Sequence, residues 1–220
     1  LKKYLSIFSF FICFVDDSED DNTSLEIKNN FNKNFKILKR IKKEKYSTRF
    51  SASIYGFEWI VNNINSKYIV EIDSDLAHHP KDIAKGIKLL KSDDCDMVIG
   101  SKYLKNSVVK NRDLFRRFIS KFITLLCKSV FSRKISDYTN TFRFYKYELV
   151  RKFIKEEIKY KSPIGHLNNL LFILKKNYVI KEISTEYIDN NSESTVKMVS
   201  MLRYLFELLH CVLFNKFLRL

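Results

Sequence analysis

Apolar runs of strand length alternate along this chain with stretches of helical spacing. FSFFICFV (8–15) is almost continuously apolar, the pattern of a strand covered on both faces. Residues 22–49 are polar and rich in Asn and Lys, with FKIL (35–38) as a short strand inside them. Helical spacing follows over 53–64, then the strand KYIVEID (67–73), then a helix over 80–91 with Pro80 in its first turn. DMVIGSKY (96–103) reads as a strand, 112–131 as a long helix and 166–176 as another. YVIKEISTEYI (178–188) alternates like one half-exposed strand. Within 112–131, Phe115, Phe118, Phe122 and Leu126 share one face, which leaves Arg117, Lys121 and Lys128 on the opposite, solvated one. This alternation predicts an α/β domain. With two Pro and four Gly in the whole chain, no linker and no internal repeat is visible.

At 220 residues and 45% hydrophobic composition, the chain is long enough for one sizeable core and is not wholly disordered. Forty basic residues against 25 acidic ones leave a net charge of +15. Such a field favours anionic lipid, nucleic acid or small phosphorylated ligands, and a solvated Lys-rich surface explains it equally. Cys13, Cys95, Cys127 and Cys211 are scattered without a C-x-x-C pair, which points to reduced thiols rather than disulfides or a zinc site. The opening LKKYLSIFSFFICFV lacks a small-residue cleavage site and runs into Asp16-Asp17, so a core strand fits it better than a signal peptide.

The last segment, MVSMLRYLFELLHCVLFNKFLRL, carries Ser200, Arg203, Glu207 and His210 as a narrow polar stripe on a mostly apolar helix. Glu207 and Lys216 interrupt the roughly 20 apolar residues that spanning requires. A helix over 199–218 lying in a membrane interface fits the pattern, as does a terminal helix packed on the domain.

Candidate chemistry gathers where strands end. Asp73 and Asp75 stand two apart at the end of KYIVEID, followed by His78, His79 and Pro80. Paired carboxylates at the C-terminal edge of an α/β sheet can grip a hard divalent cation, which in turn neutralises a diphosphate. A D-x-D also arises by chance among 25 acids, and a solvated loop or helix cap explains it as well. FVDDSEDDNTS (14–24) repeats the arrangement, with acids able to accept hydrogen bonds from a base or ribose, or simply to form turns. Arg116-Arg117, with Asp137, Thr139, Asn140 and Arg143 of SDYTNTFRFY (136–145), could frame a second anion site. No P-loop, G-x-G-x-x-G, nucleophile elbow or nucleic-acid motif is present.

Taken together and in order, these blocks resemble family 2 glycosyltransferases of the dolichyl-phosphate mannosyltransferase (polyprenyl-phosphate hexose synthase) group. VDDSEDDNT is similar to V-D-D-x-S-x-D-G-T, DSDLAHHPKDI to D-A-D-L-x-H-x-P-x-x-I, and DMVIGSKY to D-x-V-x-G-S-R-Y. RRFISKF…SDYTNTFRFY is similar to R-x-x-S-x-x…D-x-T-S-G-F-R, and NYVIKEISTEYIDNNSESTVKM more loosely to G-Y-x-I-x-E-x-P-x-x-F with its closing S-K-M. The chain departs from the pattern at the G-L-G-x-A loop, where it has Thr48, Arg49, Phe50, Ser51 and Ala52. Asn22 and Thr141 stand where the family has Gly, Lys102 where it has Arg, and Ala77 where some members have a polar residue near the metal. The family's first strand, ending in P-x-Y-N-E, does not occur in this sequence.

The resemblance implies a GT-A (Rossmann-like nucleotide-diphospho-sugar transferase) fold, with a mostly parallel sheet flanked by helices, over 1–195, and a C-terminal amphipathic helix over 196–220. It implies inverting transfer of a hexose, with mannose the leading candidate, from GDP-mannose or UDP-glucose to dolichyl or polyprenyl phosphate. Asp73 and Asp75 would hold Mg2+ or Mn2+ and the donor diphosphate, with Asp75 the catalytic residue. Asp16 and Asp17 would contact the nucleoside; Arg117, Asn140 and Arg143 would surround the acceptor phosphate. Partners would be a membrane surface and a membrane-anchoring subunit, without nucleic acid, at the cytoplasmic face of a membrane. Two other readings stay open: a family 2 transferase acting on a saccharide in envelope polysaccharide synthesis, and a degenerate, non-catalytic membrane-binding module.

Overall fold

The computed structural model describes residues 2–40, 48–92, 94–189 and 198–217. In chain order it runs α1 (Lys2–Leu5), β1 (Ile12–Asp16), α2 (Asn22–Asn30), β2 (Phe35–Lys39), α3 (Arg49–Asn63), β3 (Tyr68–Glu71), α4 (Asp82–Lys91) and β4 (Met97–Ser101). Then come β5 (Val108–Lys110), α5 (Leu114–Val130), β6 (Arg143–Lys146), α6 (Tyr147–Phe153), α7 (Ile164–Lys175), β7 (Ile180–Ser184), β8 (Glu186–Ile188) and α8 (Met198–Phe217). The central sheet has the order β3-β6-β4-β7, and parallel pairs β1-β2 and β5-β8 complete the set. Strand β6 runs antiparallel to both of its neighbours, while β4-β7 is parallel. The chain is thus α/β with mixed sheets.

The centre of the sheet explains itself from the sequence. All five residues of β4, MVIGS, are buried, as expected of a strand covered on both faces. Alternation along the strands sorts two cores. Val98 and Phe144 face Ile83, Ile87 and Leu90 of α4. Met97, Ile99 and Tyr145 face Phe57 of α3, Leu149 of α6 and Leu170 of α7. Gly86 lets α4 lie directly on the sheet, since a Cβ there would enter the ring of Phe144.

Three expectations change. The 178–188 stretch is two strands in different sheets, broken at Thr185, whose hydroxyl donates to Asp82 at 3.1 Å. Part of SDYTNTFRFY, not among the expected strands, is strand β6, inserted between β3 and β4. The faces of α5 are also reversed. Its buried residues are Ser120, Thr124 and Cys127, while Leu114, Phe115, Phe118, Phe122 and Leu125 are exposed at 78, 56, 68, 48 and 68%. The reason is what lies beneath the helix. The 136–141 loop presents polar groups, and Ser120 meets Thr139 (2.6 Å) and accepts from the Tyr103 hydroxyl (2.7 Å), so small polar residues take the inward positions. Lys121 then sits on the outer surface among the aromatics, and Leu126 packs inward against the core.

Helix α8 packs on the domain along one side and leaves apolar residues exposed along the other. Leu208, Cys211 and Val212 are buried in the core shared with α7, and Tyr160 and His210 Nδ1 are 2.7 Å apart. Leu205, Phe206, Leu209 and Leu213 face outward. Arg203 donates to Glu207 at 2.8 Å within the expected polar stripe, whose Ser200 lies outside the described side chains. The 195/196 boundary and most of the closing S-K-M block fall in 190–197, outside the described residues. Among the described residues, no helix is long and apolar enough to cross a membrane.

Candidate functional site

The parallel register of β1 and β2 sets Asp16 opposite Lys39, so the acids ending one strand meet the bases ending the next. Asp16 is buried and accepts from Ser18 N (3.0 Å), Ser18 Oγ (2.6 Å), Ser24 Oγ (2.9 Å) and Lys39 Nζ (3.4 Å). Burial alone would raise its carboxyl, but these donors outweigh burial and hold it below its ordinary value. Asp17 takes a two-pronged contact from Arg40, at 2.7 and 2.5 Å, and Arg40 continues to Ser51 Oγ at 2.8 Å. Both acids predicted to meet the nucleoside therefore brace the loop after β1 against β2 and the start of α3.

Helix α3 begins at a capping box, Thr48 with Ser51, and its first residue, Arg49, reaches across to the loop after β3. There its guanidinium pairs with Asp73 and also donates to Thr141 Oγ1. Burial pushes the Asp73 carboxyl up to about 6; Arg49 works against this, and Asp75 and Glu71 push further upward. Asp75 is exposed, and its Oδ1 accepts the Ala77 N–H at 2.9 Å. Leu76, next to it, has φ +60°, where the other described non-glycine residues of positive φ are all Asn. A leucine there costs about 1–2 kcal/mol, so the turn carrying the two acids is held by its surroundings.

Behind this turn the imidazoles are neutral. His78 is buried, stacked on Phe142 at 4.9 Å, and burial, aided by Lys102 and Arg49, takes its pKa down to about 3. His166 is buried likewise, with its pKa well below the usual value. Its Nδ1 lies 3.6 Å from Glu71, which accepts from Ser53 at 2.6 Å and Tyr145 at 3.0 Å.

The loop before β6 is organised by Asp137, which is fully buried. It accepts from Lys102 N (3.1 Å), Thr139 N (3.0 Å), Thr139 Oγ1 (2.9 Å) and Asn140 N (3.1 Å), and pairs with the buried Lys102 amine at 3.0 Å. Burial alone would raise the Asp137 carboxyl; Lys102 and these donors hold it below its ordinary value. Asn140 donates to Gly100 O and accepts Phe142 N at 3.2 Å. Arg143, 1% exposed, donates to Asn140 O (2.8 Å) and His166 O (2.9 Å), tying this loop to α7. Arg117 projects from the half-buried flank of α5. Among the described residues, Arg143 Nη2 and Arg117 Nε are both buried without a hydrogen-bond partner.

Of the predicted residues, Asp73 and Asp75 share one turn, Asn140 lies in the loop before β6 and Arg143 opens β6, and the Arg49 contacts with Asp73 and Thr141 join the turn to that loop. Sequence reasoning missed Arg49, Lys102, Lys39 and Arg40, all of which act across long stretches of chain. The signal available for Arg49 and Lys102 was that each stands where the family pattern has a different residue. Among the described residues, no three His, Cys, Asp or Glu side chains converge on a metal position. Two carboxylates suit a hard cation whose other ligands are donor phosphates and water, and Asp73 already receives a positive group from Arg49.

The sequence model of glycosyl transferase family 2 matches residues 7–154. An uncharacterized protein of Methanocaldococcus jannaschii is 29% identical over 150 residues, covering 65% of this chain and 59% of that protein. The dolichol-phosphate mannosyltransferase of Pyrococcus furiosus is 29% identical over 201 residues, covering 88% of this chain and 53% of the relative. The chain thus spans little more than half the length of these two relatives. Among solved structures, the Mycobacterium tuberculosis glucosyl-3-phosphoglycerate synthase complex with Mn2+, UDP and glucosyl-3-phosphoglycerate aligns with a TM-score of 0.64 at 12% identity. The alignment covers 96% of this chain and 70% of that one, which establishes the shared fold.

Proposed function

The chain belongs to glycosyl transferase family 2, and on that premise we propose that it moves a hexose from a nucleotide sugar to dolichyl or polyprenyl phosphate at a membrane surface. Mannose from GDP-mannose is the first candidate, because the Pyrococcus relative is a dolichol-phosphate mannosyltransferase; glucose from UDP-glucose is the other. The observation that supports the phosphate acceptor is that, among the described residues, Arg117 Nε and Arg143 Nη2 are each buried without a hydrogen-bond partner. A buried N–H without an acceptor is costly, and a phosphate oxygen would satisfy it. A saccharide acceptor would call for a carboxylate base near 166–169, where this chain has His166, Asn168 and Asn169, and burial holds His166 neutral.

In this reading Asp73 and Asp75 hold Mg2+ or Mn2+ together with the donor diphosphate. Bound there, the cation would stabilise the charge on the departing nucleotide diphosphate. Solved complexes of the fold neighbour hold Mn2+ together with UDP or UDP-glucose, which supports a divalent ion. Asp16 and Asp17 set the shape of the loop that receives the nucleoside. Asp137 fixes the backbone of the acceptor loop, Asn140 and Arg143 hold that loop against β4 and α7, and Arg117 approaches the phosphate from α5. A phosphate monoester is already anionic near neutrality, so the acceptor needs little help from a general base.

The outward apolar rows of α5 and α8 support peripheral docking on the cytoplasmic face of a membrane, where the acceptor resides. The +15 charge would add attraction to anionic lipid. A membrane-anchoring subunit could share that surface. The direct test presents GDP-mannose and UDP-glucose with a short prenyl phosphate and divalent metal. Metal-dependent formation of a prenyl-linked hexose supports the proposal, and the absence of metal-dependent binding to any nucleotide sugar overturns it in favour of a degenerate module.

A further inference from the structure

Arg49 stands where the resembled family pattern has no basic residue, and its guanidinium lies between the donor-side and acceptor-side loops. It pairs with Asp73 on one and donates to Thr141 Oγ1 on the other. These two contacts supply the site with a cation that belongs to the chain. The side chain is nevertheless 45% exposed, against 20% for Asp73, so the pair opens towards solvent. An ion pair of that exposure is weak and readily exchanged.

We propose that Arg49 is a tethered counter-ion: it occupies Asp73 while the donor site is empty, and it passes to the donor diphosphate when a divalent cation takes its place. This rests on the reading that Asp73 and Asp75 hold the donor's metal–diphosphate. The exchange keeps the Asp73 carboxylate paired throughout, and the extra positive charge of the divalent ion would be met by Asp75 and the donor diphosphate. The released guanidinium then lies beside an incoming polyanion, and its planar fork suits phosphate oxygens. The Thr48 capping box fixes the backbone from which Arg49 reaches, so the side chain can turn while α3 stays in place. The chain thereby guards an electronegative turn against stray cations and adds a phosphate contact that the glycine loop of the resembled pattern would not supply.

The two halves of the exchange predict effects of opposite sign. Arg49→Gln keeps a polar but shorter side chain and removes the charge; Arg49→Lys keeps the charge and removes the fork. Mn2+ binding is followed by electron paramagnetic resonance without nucleotide. UDP and GDP affinities are then measured by calorimetry with Mn2+ present. If the Arg49–Asp73 pair is closed in about two-thirds to nine-tenths of empty molecules, R49Q tightens Mn2+ roughly three- to tenfold. The same variant weakens the nucleotide by about tenfold or more, the scale of a lost charge-assisted contact. R49K falls between wild type and R49Q in both titrations.

Unchanged Mn2+ affinity, weakening of both ligands, or tighter Mn2+ with unchanged nucleotide affinity overturns the exchange. Thermal melting accompanies each variant, since a purely structural role would lower the melting temperature and would not tighten Mn2+. Asp75→Asn, measured alongside, separates the two levels of inference. If it abolishes Mn2+ binding while R49Q leaves that binding unchanged, the metal site stands and the Arg49 exchange falls. If wild type and R49Q bind neither Mn2+ nor a nucleotide, both fall together.

Discussion

Replacing Phe118, Phe122 and Leu125 of α5 by Ser should detach the protein from anionic vesicles without loosening its fold. These side chains are 68, 48 and 68% exposed and surround a helix whose inward face is Ser120, Thr124 and Cys127. Fully burying a Phe or Leu is worth about 1.5–3 kcal/mol, so inserting the exposed half to two-thirds of each contributes roughly 1–2 kcal/mol. Three such residues give about 3–5 kcal/mol, a drop of roughly 10²- to 10⁴-fold in partitioning. Exposed positions contribute little to folding, so the melting temperature should stay near that of wild type. Co-sedimentation with vesicles of rising anionic lipid content measures the partition coefficient, and circular dichroism follows unfolding. Wild-type partitioning by a well-folded triple variant would refute α5 as the docking face. A large loss of stability would refute its exposure.

Asp75→Asn should abolish metal-dependent nucleotide binding at unchanged melting temperature, because its amide oxygen can still accept the Ala77 N–H; calorimetry with and without Mn2+ checks this. Lys102→Met leaves Asp137 buried and uncompensated and should cost about 3–5 kcal/mol in urea unfolding, whereas Lys102→Met combined with Asp137→Asn should recover part of that loss. His78, lowered to about 3, stays neutral in the fold while the unfolded chain takes up a proton near 6.5. Its contribution is fully present above pH 6.5 and is lost as pH falls towards 3. Stability should drop by about 2 kcal/mol from pH 7 to 5 through this group, and His78→Gln should flatten that limb of the urea-unfolding profile.

Much of the scaffold was legible because local pattern and burial agree. The apolar MVIGS became the fully buried β4, and the acids of VDD and DSD stand at strand ends as read. Periodicity found α5 but not which side faces in, because an apolar row and a small-polar row are both regular. The polar 136–141 loop beneath the helix decided between them, and that loop lies outside the helix's own sequence. Strand β6 was hidden because RFYK follows turn formers and gains its ladder from β3 and β4, which precede it by roughly 40 to 75 positions. Separation along the chain also concealed the Arg49–Asp73 and Lys102–Asp137 pairs: charge composition counts these residues, and only the fold tells which ones meet.

The most direct measurement of the central claim is sugar transfer by the purified chain, with Mn2+ and labelled GDP-mannose or UDP-glucose, to a prenyl phosphate, a free prenol and 3-phosphoglycerate in parallel. The account predicts label on the prenyl phosphate alone, lost with chelator and in Asp75→Asn. Equal labelling of the free prenol, or labelling of phosphoglycerate in preference to the prenyl phosphate, would contradict it.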